Sequence, residues 1–328
     1  MKKRSIAFCL AAVLLISLFL SACAGSGAGT AASSTAKSGN GSRTPLKIAH
    51  VTKTLTNPFF VKIKESIEAT VKELHPEDEV ITYDCNSDIN KELSTIEDCI
   101  AQKFDAVILA PNDYQGSAVS VKKLKEAGII CVLIDSGVSN LDECDFSVMS
   151  DNIGAGYLAM KGLAEAIGGK GKIVTIQNST SAPVRDRMAG RDKALAEYPD
   201  IKVVNVQDGK SNVDIAMEFM NNAIQADPDI VGAWGLNDPA AQGFVAALKT
   251  ANKLGQVKVV GIDGSSASCD LIRADEQLGT SAQFPKTMAR QTAELLYKFI
   301  EDGKLETQHV KIPTLYVDKK NVDSFGEE

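Results

Sequence analysis

The sequence predicts an α/β protein of two lobes, each built on a doubly wound parallel sheet. Strand-like and helix-like segments alternate from Leu46 to the end of the chain, a pattern typical of parallel sheets with helices on both faces. The segments 106–110 (AVILA) and 129–135 (IICVLID) are continuous apolar runs, as expected for strands covered on both faces. About ten strands fit two sheets of five or six better than one open sheet.

The first half of the chain starts with a β-branched strand at 46–52 (LKIAHVT), and a second strand follows at 79–85 (EVITYDC). Apolar residues between them recur every three or four positions, which is the helical period. They are Phe60, Ile63, Ile67, Val71 and Leu74. After the two apolar runs, the strand at 146–152 (FSVMSDN) gives way to a helix start, and we place the break between the sheets there.

The second half repeats the alternation. Its predicted strands are 172–177 (KIVTIQ), 202–207 (KVVNVQ), 231–236 (VGAWGL) and 257–263 (VKVVGID), with a last one at LGTSA. A helix is predicted from an apolar stripe of helical spacing. Its residues are Ile153, Tyr157, Met160, Ala164 and Ile167. Trp234 lies inside a strand pattern, so we expect it in the core.

The N-terminus predicts a secreted and anchored protein. Basic residues at 2–4 precede an uncharged run of 15 residues at 6–20, which is shorter than the roughly 20 residues of a membrane span. The sequence LSAC at 20–23 resembles a bacterial lipobox, so residues 1–22 are predicted to be a signal peptide and Cys23 to be lipidated. An ordinary cleavage site beside a chance cysteine is the alternative. Residues 23–44 then form a flexible tether rich in Gly, Ser, Ala and Thr.

Charge and cysteine content exclude several classes of protein. The chain has 35 Lys and Arg against 42 Asp and Glu, and such an acidic balance argues against nucleic acid as a partner. Five cysteines follow Cys23 without a C-x-x-C spacing, so we expect neither a disulfide framework nor a zinc site. Cys99 and Cys131 are predicted core residues. Pairing of Cys85 with Cys144 stays open.

Candidate functional residues follow the predicted strands, because ligands of doubly wound sheets bind outside the carboxyl ends of the strands. These residues are Asn57, Phe59 and Phe60, then Asp135 with Ser136, Arg185 and Arg187, Asn237 and Asp238, Asp263 with Gly264, and Gln283. Carboxylates, amides and guanidinium groups suit paired hydrogen bonds to a polyhydroxylated ligand. An aromatic ring covers the C–H face of a sugar.

Each candidate also has a structural alternative. Asp135 and Asp238 follow strands, where aspartate is a common helix N-cap. Arg185 and Arg187 could belong to a solvated helix face. Phe60 also fits the core stripe of the first helix. The shared placement at one sheet edge favours the functional interpretation.

Six motifs in order resemble type I periplasmic sugar-binding proteins, above all the ribose-binding branch of bacterial ABC importers. They are TNPFF (56–60), IDSG (134–137), APVRDRMAG (182–190), GLNDPAAQG (235–243), VVGIDGS (259–265) and SAQFP (281–285). The resemblance covers about residues 46–318. It implies an N-lobe of 45–150 plus 285–313 and a C-lobe of 151–284 plus 314–328, with a three-crossover hinge near 150–151, 283–285 and 313–315.

The resemblance also assigns binding roles. Asn57, Phe59, Phe60 and Asp135 would contact the ligand from the N-lobe, Arg187, Asn237 and Asp263 from the C-lobe, and Gln283 at a hinge crossing. The chain departs from the ribose pattern at two places, with Ser136 where an Arg is usual and no aromatic in the loop DGKSNVD at 208–214. A wider or more polar pocket for a hexose, a polyol or another small hydroxylated ligand is therefore expected.

The expected function is extracytoplasmic capture of a monosaccharide or similar molecule by hinge closure, with delivery to an ABC permease. A receptor for a sugar-like signal, an autoinducer or a chemotaxis ligand, is the alternative on the same fold. An enzyme is not expected, because G-x-S-x-G, G-x-x-x-x-G-K and H-E-x-x-H are absent. A repressor would need a DNA-binding domain where the signal and tether lie. We expect a monomer anchored by lipid, with no cofactor and no metal.

Overall fold

The computed structural model describes residues 43–209 and 211–326. The predicted signal at 1–22, the lipidated Cys23 and nearly all of the tether lie outside the described residues. Within them, two six-stranded sheets are present, which confirms the predicted fold class.

Each sheet combines five consecutive strands with one strand from the end of the chain. The first sheet contains β1 Lys47–Thr52, β2 Glu79–Asp84, β3 Ala106–Leu109, β4 Ile130–Ile134, β5 Phe146–Ser150 and β11 His309–Ile312. The second contains β6 Lys170–Gln177, β7 Asp200–Asp208, β8 Ile230–Trp234, β9 Lys258–Asp263, β10 Gly279–Ala282 and β12 Leu315–Asp318. The helices are α1 Pro58–Leu74, α2 Ile89–Ala101, α3 Ala118–Glu126, α4 Asn152–Ala166, α5 Ala182–Leu195, α6 Val213–Ala226, α7 Asp238–Thr250, α8 Ser266–Arg273 and α9 Pro285–Asp302.

The two sheets have the same strand order. The first runs β2-β1-β3-β4-β5-β11 and the second β7-β6-β8-β9-β10-β12. Strand β1 therefore corresponds to β6, and β4 to β9. All pairs are parallel except β12, which runs antiparallel to β10. In both sheets the carboxyl ends of the central strands meet at one edge, where ligands of such sheets bind.

The chain passes between the sheets three times, after β5, after β10 and after β11. We use first lobe for the first sheet with α1–α3 and α9, and second lobe for the second sheet with α4–α8. Helix α9 belongs to the first lobe because it packs on α1. Strands β11 and β12 were not predicted. Each has four residues of which one is buried, so no apolar run marks them in the sequence.

The helix stripes were predicted with partial success. In α1 the stripe is buried through Val71, but Leu74 is 39% exposed at the end of the helix.

The second predicted helix is present as α4, although Ile153 at its start is 40% exposed. Helix α4 packs closely on α5, and a Cβ at Gly156 would lie 1.9 Å from the carbonyl oxygen of Arg187. The buried face of α4 therefore combines small residues, where α5 approaches, with the large apolar Met160 and Leu163.

Buried cysteines and Trp234 belong to the cores. Trp234, Cys99 and Cys131 are at most 1% exposed, which confirms their predicted placement. Cys85 and Cys144 are buried free thiols rather than a disulfide. None of the helices in the described part of the chain combines the length and the apolar character that a membrane span requires.

Candidate functional site

A cavity of about 550 Å³ lies between the lobes at the carboxyl ends of the strands, and every candidate that the resemblance assigned lines it. The first lobe contributes Asn57, Phe59, Phe60 and Asp135, the second lobe contributes Arg187, Asn237 and Asp263, and Gln283 lies at the second crossing. These residues are far apart in the chain, and the matched topology of the two sheets brings them together.

Two asparagines begin helices at the cavity wall. The side-chain Oδ1 of Asn57 accepts a hydrogen bond from the backbone N–H of Phe59 at 3.0 Å. Asn237 caps α7 in the same way, through the N–H of Ala240 at 3.1 Å. Capping uses only the amide oxygen. The side-chain NH₂ group of each asparagine has no protein partner in the described part of the chain, and it can donate to a ligand.

The two phenylalanines supply an apolar wall. The rings of Phe59 and Phe60 meet edge to face, with centroids 5.3 Å apart and planes at 88°. Both pack against the core of the first lobe and both line the cavity. Phe60 thus belongs to the core and also lines the cavity, because the start of α1 lies at the edge of the core.

Asp135 and Asp263 end equivalent strands and share an unusual backbone. Their φ angles are +67° and +147°. Residues other than glycine rarely adopt such positive values, and those that do often lie at functional sites. Asp135 caps no helix in the described structure. Its Oδ2 accepts hydrogen bonds from Lys53 Nζ at 3.0 Å and from Ser136 Oγ at 2.6 Å.

Asp263 is surrounded by groups of the second lobe. Its Oδ1 accepts from Gln283 Nε2 at 2.8 Å and lies 3.7 Å from Arg187 Nη1. Burial raises the pKa of the Asp263 carboxyl to about 7, and the nearby Arg187 opposes this rise. The neighbouring Asp238 is fully buried, and it accepts from Thr280 Oγ1 at 2.6 Å and from the N–H of Ser265 at 2.7 Å. Asp238 therefore supports the loop after β9 and is not a cap.

Arg187 is held in place by the second lobe. Its Nε donates to Asn152 Oδ1 and its Nη1 to the carbonyl of Leu236, both at 2.9 Å. The residue is 5% exposed, so the alternative of a solvated face is wrong for Arg187. Arg185 fits the solvated-face alternative only in part. The residue is exposed, but its guanidinium lies 4.6 Å from the centroid of the Tyr114 ring.

The polar side chains assigned to the site have only part of their hydrogen-bonding capacity satisfied by the protein. Each uses at least one polar atom to bind the protein, while another keeps no hydrogen-bond partner among the described residues. The clearest case is Gln283, whose Nε2 donates to Asp263 while its buried Oε1 accepts no hydrogen bond. Unpaired buried polar atoms are costly and are normally satisfied by a ligand or water. The cavity is therefore prepared for several hydrogen bonds with little rearrangement of its walls.

Further polar residues line the cavity, and the strand-end rule applied to the sequence missed them. Lys53 follows β1 directly, so the same rule could have found it. The same holds for Asn178, which directly follows β6, and for Asp208, the last residue of β7. The others lie in loops and at helix starts around the cavity, where the sequence shows no apolar period. They are Thr54, Thr56, Ser87, Asn112, Asp113, Thr180, Ser181, Ser211 and Asn212.

The mouth of the cavity is bridged by direct contacts between the lobes. The backbone N–H of Tyr114, in the loop after β3, donates to the carbonyl of Thr180, in the loop after β6, at 3.0 Å. The cation of Arg185 on the Tyr114 ring joins the lobes at the same place. The described structure is therefore one in which the lobes touch on the side away from the crossings.

Comparison with known proteins agrees with this architecture. The xylitol-binding protein of Mycolicibacterium smegmatis is 30% identical over 81% of this chain and 75% of its own length. The ribose import binding protein of Bacillus subtilis is 27% identical over 82% of this chain and 86% of that protein. An ABC transporter solute-binding protein of Actinobacillus succinogenes, solved with bound D-allose, is 29% identical with a TM-score of 0.79. That alignment covers 85% of this chain and all of the solved one.

The comparison with family models identifies the family of most of the chain. A family model described as periplasmic binding protein domain matches residues 48–305, which include both sheets apart from β11 and β12 and the first residue of β1. The resemblance inferred from the six motifs is thereby confirmed. This chain belongs to the periplasmic binding protein family.

Proposed function

We propose that this protein captures a monosaccharide or a similar polyhydroxylated small molecule outside the cytoplasm and delivers it to an ABC permease. One observation carries the proposal. Donors and acceptors from both lobes converge on one cavity beside an apolar aromatic wall. The xylitol-binding, ribose import and D-allose-bound relatives support it, since all three have small hydroxylated ligands.

The chemistry of the cavity suits hydroxyl groups, which donate and accept hydrogen bonds at the same oxygen. Asp135 and Asp263 can accept from ligand hydroxyls, while Arg187 and the two capping asparagines can donate to them. Phe59 and Phe60 can cover the C–H face of a sugar or a polyol. Neither a phosphate loop nor, in the described residues, a cluster of metal ligands accompanies these groups. We therefore propose binding without turnover, metal or cofactor.

The wall on the second lobe favours ligands other than ribose. The loop at 208–214 contributes Asp208, Ser211 and Asn212 to the cavity instead of an aromatic ring. The apolar residues of the second lobe that line the cavity are Pro183 and Val184. A ring sandwiched between two aromatic faces is therefore not expected, and a hexose or an acyclic polyol fits the polar wall better.

We propose that capture occurs by hinge closure, since the binding groups are divided between lobes joined by three crossings. An open form would hold the ligand on one lobe, and only the closed form makes both sets of bonds, so the ligand favours closure. The contacts of Tyr114 with Thr180 and Arg185 would form in the closed form and add to its stability.

We also propose the limits of the mature protein and of its parts. The lobes would be residues 45–150 plus 285–313 and residues 151–284 plus 314–328, consistent with sheet membership and with the packing of α9 on α1.

Residues 1–22 would be removed as a signal, and Cys23 would carry lipid at the start of a tether. Expression of Cys23→Ala with labelled fatty acid tests this point, and equal labelling of the variant and the natural chain would contradict it.

A thermal-shift screen tests the proposed function. A molecule that binds only the folded protein raises the melting temperature in proportion to its occupancy. We expect a shift with at least one pentose, hexose or polyol in a panel that also contains autoinducer-like compounds, which test the receptor alternative. Asp263→Ala and Arg187→Ala should weaken binding of the hit at least tenfold, whereas Asp98→Ala on the exposed face of α2 should not. Unchanged affinity in both cavity variants would contradict the site.

A further inference from the structure

We propose that Glu92 is a positioning residue for closure of the two lobes. It fixes the β3–α3 loop, residues 110–117, in the shape that contacts the second lobe, and it thereby slows release of the ligand. The inference rests on the proposed function, and it concerns a side chain that lies outside the cavity lining.

Glu92 places a carboxylate at a core position of α2. The buried residues of this helix are Glu92, Thr95, Ile96 and Cys99, which follow the helical period. Glu92 itself is fully buried. Taking a charge out of water is costly, and well-packed apolar residues are often neutral or stabilising replacements for buried charged groups. Packing of α2 against the lobe therefore does not require a carboxylate here.

The carboxylate accepts four hydrogen bonds, and three of them come from the β3–α3 loop. Its Oε2 accepts from the backbone N–H of Asn112 at 2.8 Å, from Asn112 Nδ2 at 3.0 Å and from Ser117 Oγ at 2.9 Å. Its Oε1 accepts from Ser120 Oγ of α3 at 2.7 Å. Hydrogen bonds to a charged group are stronger than neutral ones, and a buried carboxylate that loses them is costly. Glu92 thus holds both ends of the loop.

The middle of the same loop contacts the second lobe. Tyr114 lies between the two anchored ends, and its backbone N–H donates to the carbonyl of Thr180 at 3.0 Å. Its ring lies 4.6 Å from the guanidinium of Arg185. The loop shape that Glu92 holds is therefore the one that presents Tyr114 to the second lobe.

The anchor belongs to one lobe only. Glu92 lies on α2, and its partners lie on α3 and in the loop before it, all in the first lobe. The anchor therefore persists whether the lobes are open or closed. A loop that is ordered before closure loses little entropy when it binds the second lobe. Because the ligand enters the open form, loss of the anchor should speed release and leave association unchanged.

Stopped-flow mixing with xylitol, D-allose and D-ribose tests the proposal. Glu92→Gln keeps the shape of the side chain and removes the charge. We expect release of a bound compound to accelerate roughly tenfold, since the contacts of Tyr114 with the second lobe weaken, and association to change less than about twofold. Thr95→Val is the matched control on the same buried face, because the Thr95 hydroxyl donates only to the carbonyl of Lys91. It should release the compound at the natural rate.

A double variant separates positioning from general support of the lobe. If Glu92 acts through Tyr114, Glu92→Gln already weakens the contact that Arg185→Ala removes. The double variant should then release the compound about as fast as Glu92→Gln alone. If the two rate increases multiply instead, Glu92 does not act through this contact and the proposal is refuted.

Amide hydrogen exchange tests the anchor in the natural chain, so it decides the question even where Glu92→Gln does not fold. The N–H of Asn112 donates to Glu92 within the first lobe, and its exchange should be slow with and without a saturating compound. The N–H of Tyr114 donates across the lobes, and the compound should slow its exchange at least tenfold. Fast exchange at Asn112 in the free protein would refute anchoring before closure.

The outcomes distinguish this inference from the proposed function. If the natural chain binds a compound of the panel but Glu92→Gln releases it at the natural rate, the role of Glu92 is refuted and the proposed function stands. Equal acceleration in Thr95→Val has the same meaning. If the natural chain binds none of the three compounds and none in the wider thermal-shift screen, the proposed function fails together with this inference.

Discussion

Replacement of Arg187 by methionine should destabilise the ligand-free protein in a way that depends on pH. Methionine keeps a flexible apolar stem of similar length and removes the guanidinium group. The change deletes the hydrogen bonds to Asn152 and to the carbonyl of Leu236, both 2.9 Å long. It also removes the cation that lies 3.7 Å from Asp263.

The lost hydrogen bonds and the lost charge contribute separately to the decrease in stability. Two hydrogen bonds from a charged donor, together with the unpaired acceptors left behind, indicate a loss of about 3–5 kcal/mol in the free energy of unfolding. The charge adds little near pH 7, because burial already raises the pKa of Asp263 to about 7 and the carboxyl can keep its proton.

The sign of the pH dependence follows from linkage. The pKa of Asp263 is raised in the folded state, so its ionisation costs stability as pH rises toward that folded value, and the loss then levels off above it. Without Arg187 the folded pKa lies higher still. Stability of the variant should keep falling above pH 7, by up to about 1.4 kcal/mol per pH unit.

Urea unfolding at pH 6, 7, 8 and 9 measures this effect. The gap between the natural chain and Arg187→Met should widen with pH, and adding Asp263→Asn should remove the widening. Arg191→Met is the matched control, since Arg191 is also buried but its carboxylate partner Asp192 is 61% exposed. A gap that stays constant from pH 6 to 9, or that widens equally for Arg191→Met, would refute the reasoning.

Two further predictions concern closure and acid stability. Arg185→Ala removes the cation on the Tyr114 ring, and a loss of about 0.5–1 kcal/mol should weaken sugar binding roughly two- to fivefold through faster release. Lys193→Ala removes a cation–ring contact inside the second lobe and should leave the release rate in stopped-flow unchanged; equal release rates for all three proteins would contradict the role in closure. Burial lowers the pKa of His50 to about 3, so stability should be lost as pH falls below about 6.5, and His50→Gln should lose less in urea titrations between pH 6.5 and 4.5. Parallel pH curves for His50→Gln and the natural chain would show that His50 does not cause the acid loss.

Much of the fold could be predicted because its signals are local. The apolar runs at β3 and β4 and the helical stripe of α1 arise from burial within one lobe, and burial of a strand or helix imposes its own period on the sequence. The prediction failed at the short edge strands, because β11 and β12 are too short and too exposed to form a pattern. Periodicity also did not show that α4 and α5 approach each other closely at Gly156 and Gly190.

The candidate site could be predicted to the level of residues but not of interactions. The rule that ligands bind beyond strand ends selected Asn57, Asp135, Asn237 and Asp263, and all four line one cavity. It did not reveal that both asparagines also cap helices, nor that Asp135 pairs with a lysine. Such pairings depend on side chains that are distant in the chain, and the sequence of either partner contains no trace of the other.

The sequence by itself determined the alternation of strands and helices, the two-lobed class of the fold and the list of polar residues at strand ends, because each follows from the periodicity or position of neighbouring residues. Only the tertiary structure decided which polar atoms are already used and which remain for a ligand. That division depends on distances of about 3 Å between side chains from different strands, such as Lys53 with Asp135 and Gln283 with Asp263. Long-range packing sets those distances, and no local pattern encodes them.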